Sequence, residues 1–179
     1  MADINQLAAQ IRLLLMDVDG VLTDGKLYYV PNAKGEIAET KAFDSQDGIA
    51  LQWLGWKGIQ TGVISGRVSP ATEERARQVK MTYVFQGHIE KVPILERILQ
   101  ESKLEASAVA YMGDDLTDVV VMRRVGFPIA TANARDEVKQ AARYVTQAEG
   151  GRGAVREVIE LLLRAQNRWQ EILDHYEFA

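Results

Sequence analysis

Cysteine is absent from this chain of 179 residues, and histidine occurs only twice. Without cysteine the chain has no disulfide, no thiolate nucleophile and no thiolate ligand for a metal. The two histidines, His88 and His175, lack the paired spacing of a zinc site and have no evident partners for a catalytic triad. We interpret them as structural or surface groups, so any catalysis must use other side chains.

Neither a strong charge imbalance nor a long apolar run is present. The formal net charge of -4 offers no attraction to nucleic acid or to an anionic membrane. The first residues, MADINQLAAQIR, lack a basic stretch followed by an apolar one, and no apolar run approaches the length of a membrane span. We therefore expect a cytoplasmic protein without nucleic-acid or membrane partners.

Length and composition predict one domain that covers residues 1–179. Hydrophobic residues make up 47% of the chain and charged residues 26%, which is typical of a globular protein. A chain of 179 residues can form one sizeable core but is short for two.

Short apolar segments alternate with longer amphipathic ones along most of this domain. The predicted strands are IRLLLMDV, IQTGVIS, TYVFQG, AVAYMGD, GFPIA and RYVTQ, and the predicted helices are DGIALQWLGWK, SPATEERARQVK, VPILERILQESK, LTDVVVMRRV and ARDEVKQAA. This alternation predicts an α/β fold with a doubly wound, mainly parallel sheet.

Two stretches depart from the alternation. Residues at about 26–44 contain two short β-like segments around the turn residues PNAKG, which predicts a hairpin that projects from the sheet. At about 149–179 a glycine-rich EGGRG break precedes one long helix, predicted from about Ala154 to Tyr176. The apolar residues of that helix form a stripe wider than docking on one face requires, which favours contact with a partner: Val155, Val158, Ile159, Leu162, Leu163, Trp169, Ile172 and Leu173.

Polar residues follow several predicted strands, and the carboxyl ends of parallel strands are where ligands bind. Asp17 and Asp19 follow the first strand, and side chains two residues apart in extended chain point the same way. Asp114 follows a later strand and adds a third carboxylate. Three carboxylates near one point form the hard, oxygen-rich site that Mg²⁺ prefers.

Each of these motifs has a simpler explanation when it is taken alone. DVDG is compatible with a capped turn, whereas an EF-hand loop is excluded because its required glycine and glutamate positions hold Leu22 and Tyr28. Asp114 or Asp115 could cap the following helix, and the Ser65-Gly66-Arg67 segment could be a turn.

Lys91 is harder to explain as a purely local feature. Pro93 indicates that a helix starts close by, and a cation at a helix N-terminus opposes the helix dipole. We therefore expect Lys91 to have an anionic partner.

Taken together and in order, four motifs resemble those of the haloacid dehalogenase-like phosphatase superfamily: DVDGVLTDG, ISGR, Lys91 and GDDLTD. The resemblance covers nearly the whole chain and implies a Rossmann-like fold. It also implies that Asp17 attacks phosphorus to form an aspartyl-phosphate and that Asp19 acts as general acid and base. The acid at position 19 favours phosphoryl transfer, because dehalogenase members of the superfamily lack it.

The resemblance assigns the remaining motif residues as well. Asp17, the backbone carbonyl of Asp19 and Asp114 would bind Mg²⁺, while Ser65 and Lys91 would bind the phosphate. Asp115 and Asp118 would orient Lys91 or tune the metal site from behind it.

Superfamily members usually carry a cap domain between these motifs, but this chain has no room for one. Only 48 positions separate Asp17 from Ser65, and 26 separate Ser65 from Lys91. An uncapped site is open to water, so a neighbouring subunit is expected to cover it. The chain most resembles the capless, tetrameric subgroup that hydrolyses 3-deoxy-D-manno-octulosonate 8-phosphate, and the tail GGRGAVREV is similar as well.

That subgroup implies a homotetramer and a phosphorylated sugar acid as substrate. The implied substrate residues are Asp19, Asp44, Ser45, Gln46, Asp47, Gly48, Arg67, Arg75 and Lys91. Two arginines suit a substrate with a carboxylate as well as a phosphate, although Arg75 could instead be a solvated residue paired with nearby glutamates. Gln46 stands where many members have arginine, so a nine-carbon sugar-acid 9-phosphate is an alternative substrate.

Two alternatives belong to other functional classes. A receiver-type signalling domain also accepts phosphate on aspartate, but the Asp17-Val18-Asp19 spacing, GDDLTD and the hairpin argue against it. A non-catalytic binding relative would have no reason to keep every group that the chemistry requires.

Overall fold

The computed structural model describes residues 3–178, which form a central parallel sheet with helices on both sides. The helices are α1 (Ile4–Gln10), α2 (Ser45–Trp56), α3 (Pro70–Gln78), α4 (Val92–Ser102), α5 (Leu116–Met122), α6 (Asp136–Ala141), α7 (Ala154–Ala165) and α8 (Trp169–His175). The strands are β1 (Leu13–Met16), β2 (Tyr28–Pro31), β3 (Ile37–Thr40), β4 (Gln60–Ile64), β5 (Tyr83–Phe85), β6 (Val109–Gly113), β7 (Phe127–Ala130) and β8 (Tyr144–Val145). Six strands pair in parallel in the order β5-β4-β1-β6-β7-β8, which confirms the doubly wound α/β fold.

The apolar run of β1 serves both faces of the sheet. Leu14 and Met16 belong to a core cluster shared with α1, α2 and α7, whereas Leu13 and Leu15 belong to a cluster shared with α4, α5 and α6. Because β1 is buried on both faces, its sequence is continuously apolar rather than alternating. The first polar residue, Asp17, therefore stands directly at the carboxyl end of a buried strand.

The predicted hairpin is present as a separate antiparallel pair of β2 and β3. Gly35 has φ +81°, which fits glycine in the turn, and its N–H donates to the carbonyl of Asn32 at 2.9 Å. Every residue of β2 is exposed. The hairpin therefore projects from the body of the domain, and the apolar side chains of β2 are exposed.

The single long helix predicted from Ala154 to Tyr176 is wrong, because α7 and α8 are separate. Asn167 adopts φ 57°, a left-handed conformation that ends the first helix. The Gln166 side chain also donates to the carbonyls of Ala8 and Ile11, at 3.2 and 3.0 Å, and ties the break to α1.

The predicted partner contact of this apolar stripe is also wrong for most of its residues. Val155, Val158, Ile159, Leu162, Leu163 and Ile172 are buried in the core of the chain itself. The cause is that α1 and α2 pack directly on α7 and cover the apolar surface that a partner was expected to cover. Between residues 3 and 178, no helix combines the length and the apolar character that crossing a membrane requires.

Candidate active site

A cavity of about 270 Å³ opens at the carboxyl edge of the sheet. The strand β1 lies between β4 and β6, so the loops that follow these three strands meet there. Seven predicted site residues line the cavity: Asp17, Asp19, Ser65, Arg67, Lys91, Asp114 and Asp115. The structure thus brings together acids, a hydroxyl and cations that are widely separated in sequence.

The loop after β1 is held in a fixed turn that presents Asp17 and Asp19. The Asp17 N–H donates to the carbonyl of Met112 at 3.0 Å, which continues the ladder between β1 and β6. Three backbone N–H groups, from residues 21 to 23, donate to the carbonyl of Val18. Gly20 has φ +90°, a conformation that glycine adopts without strain.

Lys91 is a buried cation of the site and has the anionic partners that its position predicted. Its side chain is 2% exposed, and Nζ donates to Asp17 Oδ1 at 2.8 Å and to Asp118 Oδ1 at 2.7 Å. Burial lowers the pKa of Lys91, but Asp118 and Asp17 outweigh burial and raise it above its usual value. The ammonium is therefore charged at neutral pH.

Both carboxylate oxygens of Asp118 accept hydrogen bonds from groups of the protein. Its Oδ1 accepts from Lys91 and from the Tyr111 hydroxyl, each at 2.7 Å, and its Oδ2 accepts from the backbone N–H groups of Asp114 and Asp115 at 3.0 and 3.2 Å. Asp115 caps α5 in a reciprocal capping box with Asp118. The capping explanation therefore holds for Asp115 and not for Asp114, while Asp118 also fixes Lys91 and the backbone of Asp114.

Asp114 has no such partners. Its Oδ1 is buried and accepts no hydrogen bond from the described residues. Burial, followed by repulsion from Asp118 and Asp17, raises the pKa of Asp114 to about 8. The pKa of Asp17 is raised to about 6 by burial and by Asp118, against the opposing effect of Lys91. Two carboxylates are therefore held together at a cost that a bound cation would offset.

The donor set fits Mg²⁺. Carboxylate oxygens of Asp17, Asp114 and Asp118 lie within 4.8 Å of one another. Since Asp118 is already satisfied by four donors, Asp17 and the unpartnered Asp114 are the carboxylates left for a cation. Hard oxygen ligands with space for water are the environment in which proteins bind Mg²⁺.

Ser65 and Arg67 follow β4 at the opposite side of the same cavity. Ser65 is buried, and its Oγ accepts from the Arg67 N–H at 3.2 Å. The hydroxyl hydrogen of Ser65 can therefore be donated to another group. The Arg67 guanidinium donates to Glu39 Oε2 of the hairpin at 3.2 Å. Both residues therefore reach the predicted site.

The other predicted substrate residues do not line this cavity. Asp44 and Ser45 line a second cavity of about 520 Å³, together with Gly151 and Arg152 of the glycine-rich segment. Asp44 also caps α2 by accepting from the N–H groups of Gln46 and Asp47, and the Gln46 side chain is exposed.

Arg75 is anchored rather than solvated. It donates to the Asp44 carbonyl at 2.6 Å and lies over the ring of Phe43. A Cβ on Gly48 would lie 2.0 Å from its Nη2, so the absence of a side chain lets the guanidinium pass. The explanation of Arg75 as a solvated residue paired with glutamates is wrong, because Arg77 is the arginine that pairs with Glu74.

Asp47 lies in the first turn of α2 and is buried. Its Oδ1 accepts from the Arg156 N–H at 2.7 Å, and Oδ2 is buried without a partner among the described residues. Burial raises the pKa of Asp47 to about 6, against the opposing hydrogen bond from Arg156. This carboxyl joins the segment after the hairpin to the start of α7.

Three residues of the site were missed by the sequence analysis. Tyr111 donates to Asp118, and Lys41 forms an ion pair with Asp19. Asn133 donates to the Gly20 carbonyl at 3.0 Å and accepts from the Gly150 N–H at 2.7 Å, which joins the loop after β1 to the glycine-rich segment. Tyr111 could have been found from its position in β6, whereas nothing local in the sequence indicates the other two contacts.

Comparison with known proteins shows which proteins this chain is similar to. The sequence profile of the haloacid dehalogenase-like hydrolase family matches residues 75–159. A 3-deoxy-D-manno-octulosonate 8-phosphate phosphatase, KdsC, from Yersinia pestis is 43% identical over 166 residues, which cover 93% of this chain and 87% of the relative.

Solved structures agree with these matches. A 3-deoxy-D-manno-octulosonate 8-phosphate phosphatase from Moraxella catarrhalis, crystallised with a magnesium ion, a phosphate ion and KDO, superimposes with a TM-score of 0.91 at 40% identity over 97% of each chain. The cobalt-bound deoxy-D-mannose-octulosonate 8-phosphate phosphatase (YrbI) of Haemophilus influenzae has a TM-score of 0.85 at 35% identity, covering 92% of this chain and 94% of its own.

Proposed function

This chain belongs to the haloacid dehalogenase-like hydrolases, within the capless 3-deoxy-D-manno-octulosonate 8-phosphate phosphatase family, and as a phosphomonoester hydrolase of this kind we propose that it acts on that sugar-acid phosphate. The products would be 3-deoxy-D-manno-octulosonate and inorganic phosphate. The observation that carries the reaction type is the ion pair of Lys91 with Asp17, in a cavity that Asp19 and Ser65 also line. Identity of 43% to a phosphatase of that name supports the substrate.

We propose that Asp17 is the nucleophile. Lys91 holds Oδ1 at 2.8 Å and leaves Oδ2 to attack phosphorus, forming a bond to phosphorus as the bond to the sugar oxygen breaks. Two unit negative charges about 4 Å apart repel by about 4 kcal/mol at an effective dielectric near 20, so the attack requires nearby positive charge. Lys91 supplies one such charge, and Ser65 is placed to donate to a phosphate oxygen.

The cofactor is Mg²⁺, which Asp17, the backbone carbonyl of Asp19 and Asp114 would hold. When bound, it would supply positive charge that reduces the repulsion between the phosphate and the carboxylate nucleophile. Asp118 contributes indirectly, since it fixes both Lys91 and the backbone of Asp114.

Asp19 would move the protons. In the first step its carboxyl proton passes to the departing sugar oxygen, which leaves as an alcohol. In the second step the Asp19 carboxylate takes a proton from the water that attacks the aspartyl-phosphate. Phosphate then leaves, Asp17 is regenerated, and Asp19 is again protonated for the next cycle.

The carboxylate end of the substrate requires cations beyond the phosphate site. Arg67 lines the cavity at its rim, and Arg75 orders the segment of residues 44–48 beside the second cavity. Planar guanidinium groups bind carboxylates in a bidentate manner. This arrangement supports the phosphate ester of a sugar acid as substrate better than the phosphate ester of a sugar without a carboxylate.

A homotetramer, in which a neighbouring subunit covers the site, completes the proposal. The hairpin supports it, because Tyr29 and Ile37 are 59% and 67% exposed on a segment that projects from the domain. The glycine-rich segment packs against the loop after β1 of its own chain, where the Gly151 N–H donates to the Val21 carbonyl at 3.0 Å. The cytoplasmic location remains a prediction.

A substrate screen tests the function. The purified protein is incubated with 3-deoxy-D-manno-octulosonate 8-phosphate, a nine-carbon sugar-acid 9-phosphate and glucose 6-phosphate, with phosphate release as the readout and a chelator as the control. We expect many turnovers, the highest kcat/KM for the octulosonate ester and no activity with chelator. A preference for the nine-carbon ester would mean that this ester, and not the octulosonate ester, is the substrate. Release of at most one phosphate per chain would favour a receiver-like protein.

A further inference from the structure

Lys41 is a buried cation that the reaction scheme does not use. It follows β3 directly, at the base of the hairpin, and its side chain is 0% exposed. Its ammonium forms an ion pair with Asp19 Oδ1 and lies 3.5 Å from Glu39 Oε1. A buried ammonium is costly unless anions surround it, so these contacts define where the Lys41 side chain lies.

The position of Lys41 relative to the cavity separates it from the reacting groups. Asp19 lines the cavity, whereas Lys41 is absent from the residues that line it. Lys41 therefore contacts Asp19 from behind and is not placed to touch phosphate. Its contact occupies Oδ1 and leaves Oδ2 without a protein donor among residues 3–178, free to face the cavity.

We propose that Lys41 is a positioning residue that orients the Asp19 carboxyl group for proton transfer. This proposal rests on the proposed phosphatase mechanism. The neutral carboxyl group can keep the contact, because its carbonyl oxygen Oδ1 still accepts from the ammonium while Oδ2–H donates. Lys41 thus holds Asp19 in one orientation both when it gives its proton to the sugar oxygen and when it takes one from water.

The same strand end positions a second group. Glu39, two residues before Lys41, accepts from Arg67 at 3.2 Å. The charges therefore alternate from Asp19 through Lys41 and Glu39 to Arg67, and each inner member has an opposite charge on both sides. This arrangement links the hairpin to both sides of the cavity and gives the hairpin a role in the chemistry of its own subunit.

A comparison of substrates with good and poor leaving groups distinguishes a residue that positions an acid from a residue with only a structural role. An alkoxide needs a proton to leave, whereas p-nitrophenolate leaves without one, and kcat/KM reports steps up to the first irreversible step. For Lys41→Met we expect kcat/KM to fall at least about tenfold for an alkyl phosphate, within the 10²- to 10⁴-fold that general acid catalysis contributes. For p-nitrophenyl phosphate we expect it to stay within about threefold.

Four further variants complete the experiment. Lys41→Arg should recover much of the loss, and Lys34→Met, at an exposed lysine of the same hairpin, should match wild type. In an Asp19→Asn background, Lys41→Met should cost nothing more, since there is no acid left to orient. Lys41→Gln gives the same comparison if the methionine variant loses cooperative unfolding.

Equal losses for the two leaving groups, or a further loss in the Asp19→Asn background, would overturn the proposal. No loss for either substrate would overturn it too. The alkyl phosphate is any primary alkyl ester that the wild type turns over. If the octulosonate ester is not hydrolysed but another alkyl phosphate is, the proposed substrate fails and the role of Lys41 is still decided.

Discussion

Gly20 and Asp114 are in such close contact that a Cβ on Gly20 would lie 2.0 Å from Asp114 Oδ2. The glycine also has φ +90°, so its conformation as well as its size is required there. The loop that carries Asp17 and Asp19 can approach Asp114 this closely only because residue 20 has no side chain. This approach brings the carboxylates that follow two strands into the one proposed metal site.

Gly20→Ala should therefore reduce both activity and metal affinity. The added methyl group must displace Asp114 or the loop, and we expect kcat/KM to fall at least about tenfold, since small misplacements at a reacting centre are costly. Gly35→Ala is the matched control, because Gly35 has φ +81° and no atom within 4 Å of its Cβ position. It should lose about 1 kcal/mol of stability and keep its activity. Equal activity of the two variants would contradict the role of the contact.

Asp17→Asn should abolish turnover while the protein stays folded. The amide keeps the size of the carboxylate but is not a nucleophile, so we expect kcat below about a thousandth of the wild-type value. Circular dichroism and thermal unfolding check the fold, and Asp174→Asn, at an exposed position on α8, serves as the control. Substantial residual activity would refute the assignment of Asp17.

Binding of Mg²⁺ should release protons near neutral pH. The pKa of Asp114 is about 8 in the metal-free chain, so this carboxyl is largely protonated at pH 7 and must lose its proton to bind a cation. We expect release of about one proton per ion at pH 7 and close to none at pH 9. Calorimetry in buffers of different ionisation enthalpy measures this number.

Asp114→Asn provides the control for that experiment, because it has no proton to release and should bind Mg²⁺ far more weakly. Removal of the metal from wild type with a chelator should stop turnover, and added Mg²⁺ should restore it. Binding heats that are the same in every buffer at pH 7 would show that Asp114 is already ionised.

Arg75→Ala should raise KM much more than it lowers kcat. Arg75 orders the segment of residues 44–48 through the Asp44 carbonyl and does not line the phosphate cavity, so we expect KM to rise at least about tenfold and kcat to change less than threefold. Arg77→Ala, on the same helix but paired with Glu74 at the surface, should leave both constants unchanged. Unchanged kinetics for Arg75→Ala would exclude it from substrate binding.

Asp47 should make the stability of the protein depend on pH. Its pKa is raised to about 6 in the folded chain, so the folded state binds this proton more tightly than the unfolded state does. The stabilisation is complete below about pH 4 and is lost as the pH rises through about 6. At pH 7 Asp47→Asn, whose amide oxygen can still accept from Arg156, should be more stable than wild type by as much as about 3 kcal/mol.

The measurement is the difference in free energy of unfolding between Asp47→Asn and wild type, from denaturant titrations at several pH values. The difference should grow between about pH 4 and pH 7. Asp136→Asn, at an exposed position, should show no such change. A difference independent of pH would mean that the Asp47 pKa is not raised.

The sequence by itself determined the strands, the doubly wound sheet and the meeting of the main motifs. The reason is that a strand buried on both faces requires a continuous apolar run, and the parallel strands of a doubly wound sheet present their carboxyl ends at one edge. Asp17, Ser65 and Asp114 each directly follow such a strand, so their convergence could be predicted without coordinates. Lys91 was predicted to have an anionic partner from a local argument about the helix dipole.

Only the tertiary structure decided which groups are paired, free or buried. Apolar residues recur at helical spacing on both sides of residues 166–168, but the helix ends there, where Asn167 adopts φ 57° and the Gln166 side chain bonds to carbonyls at Ala8 and Ile11, more than 150 residues away. The ion pair of Lys41 with Asp19 joins residues 22 positions apart that share no helix or strand. Sequence periodicity describes neighbours within one element, whereas hydrogen bonds and ion pairs between elements depend on how the whole chain packs.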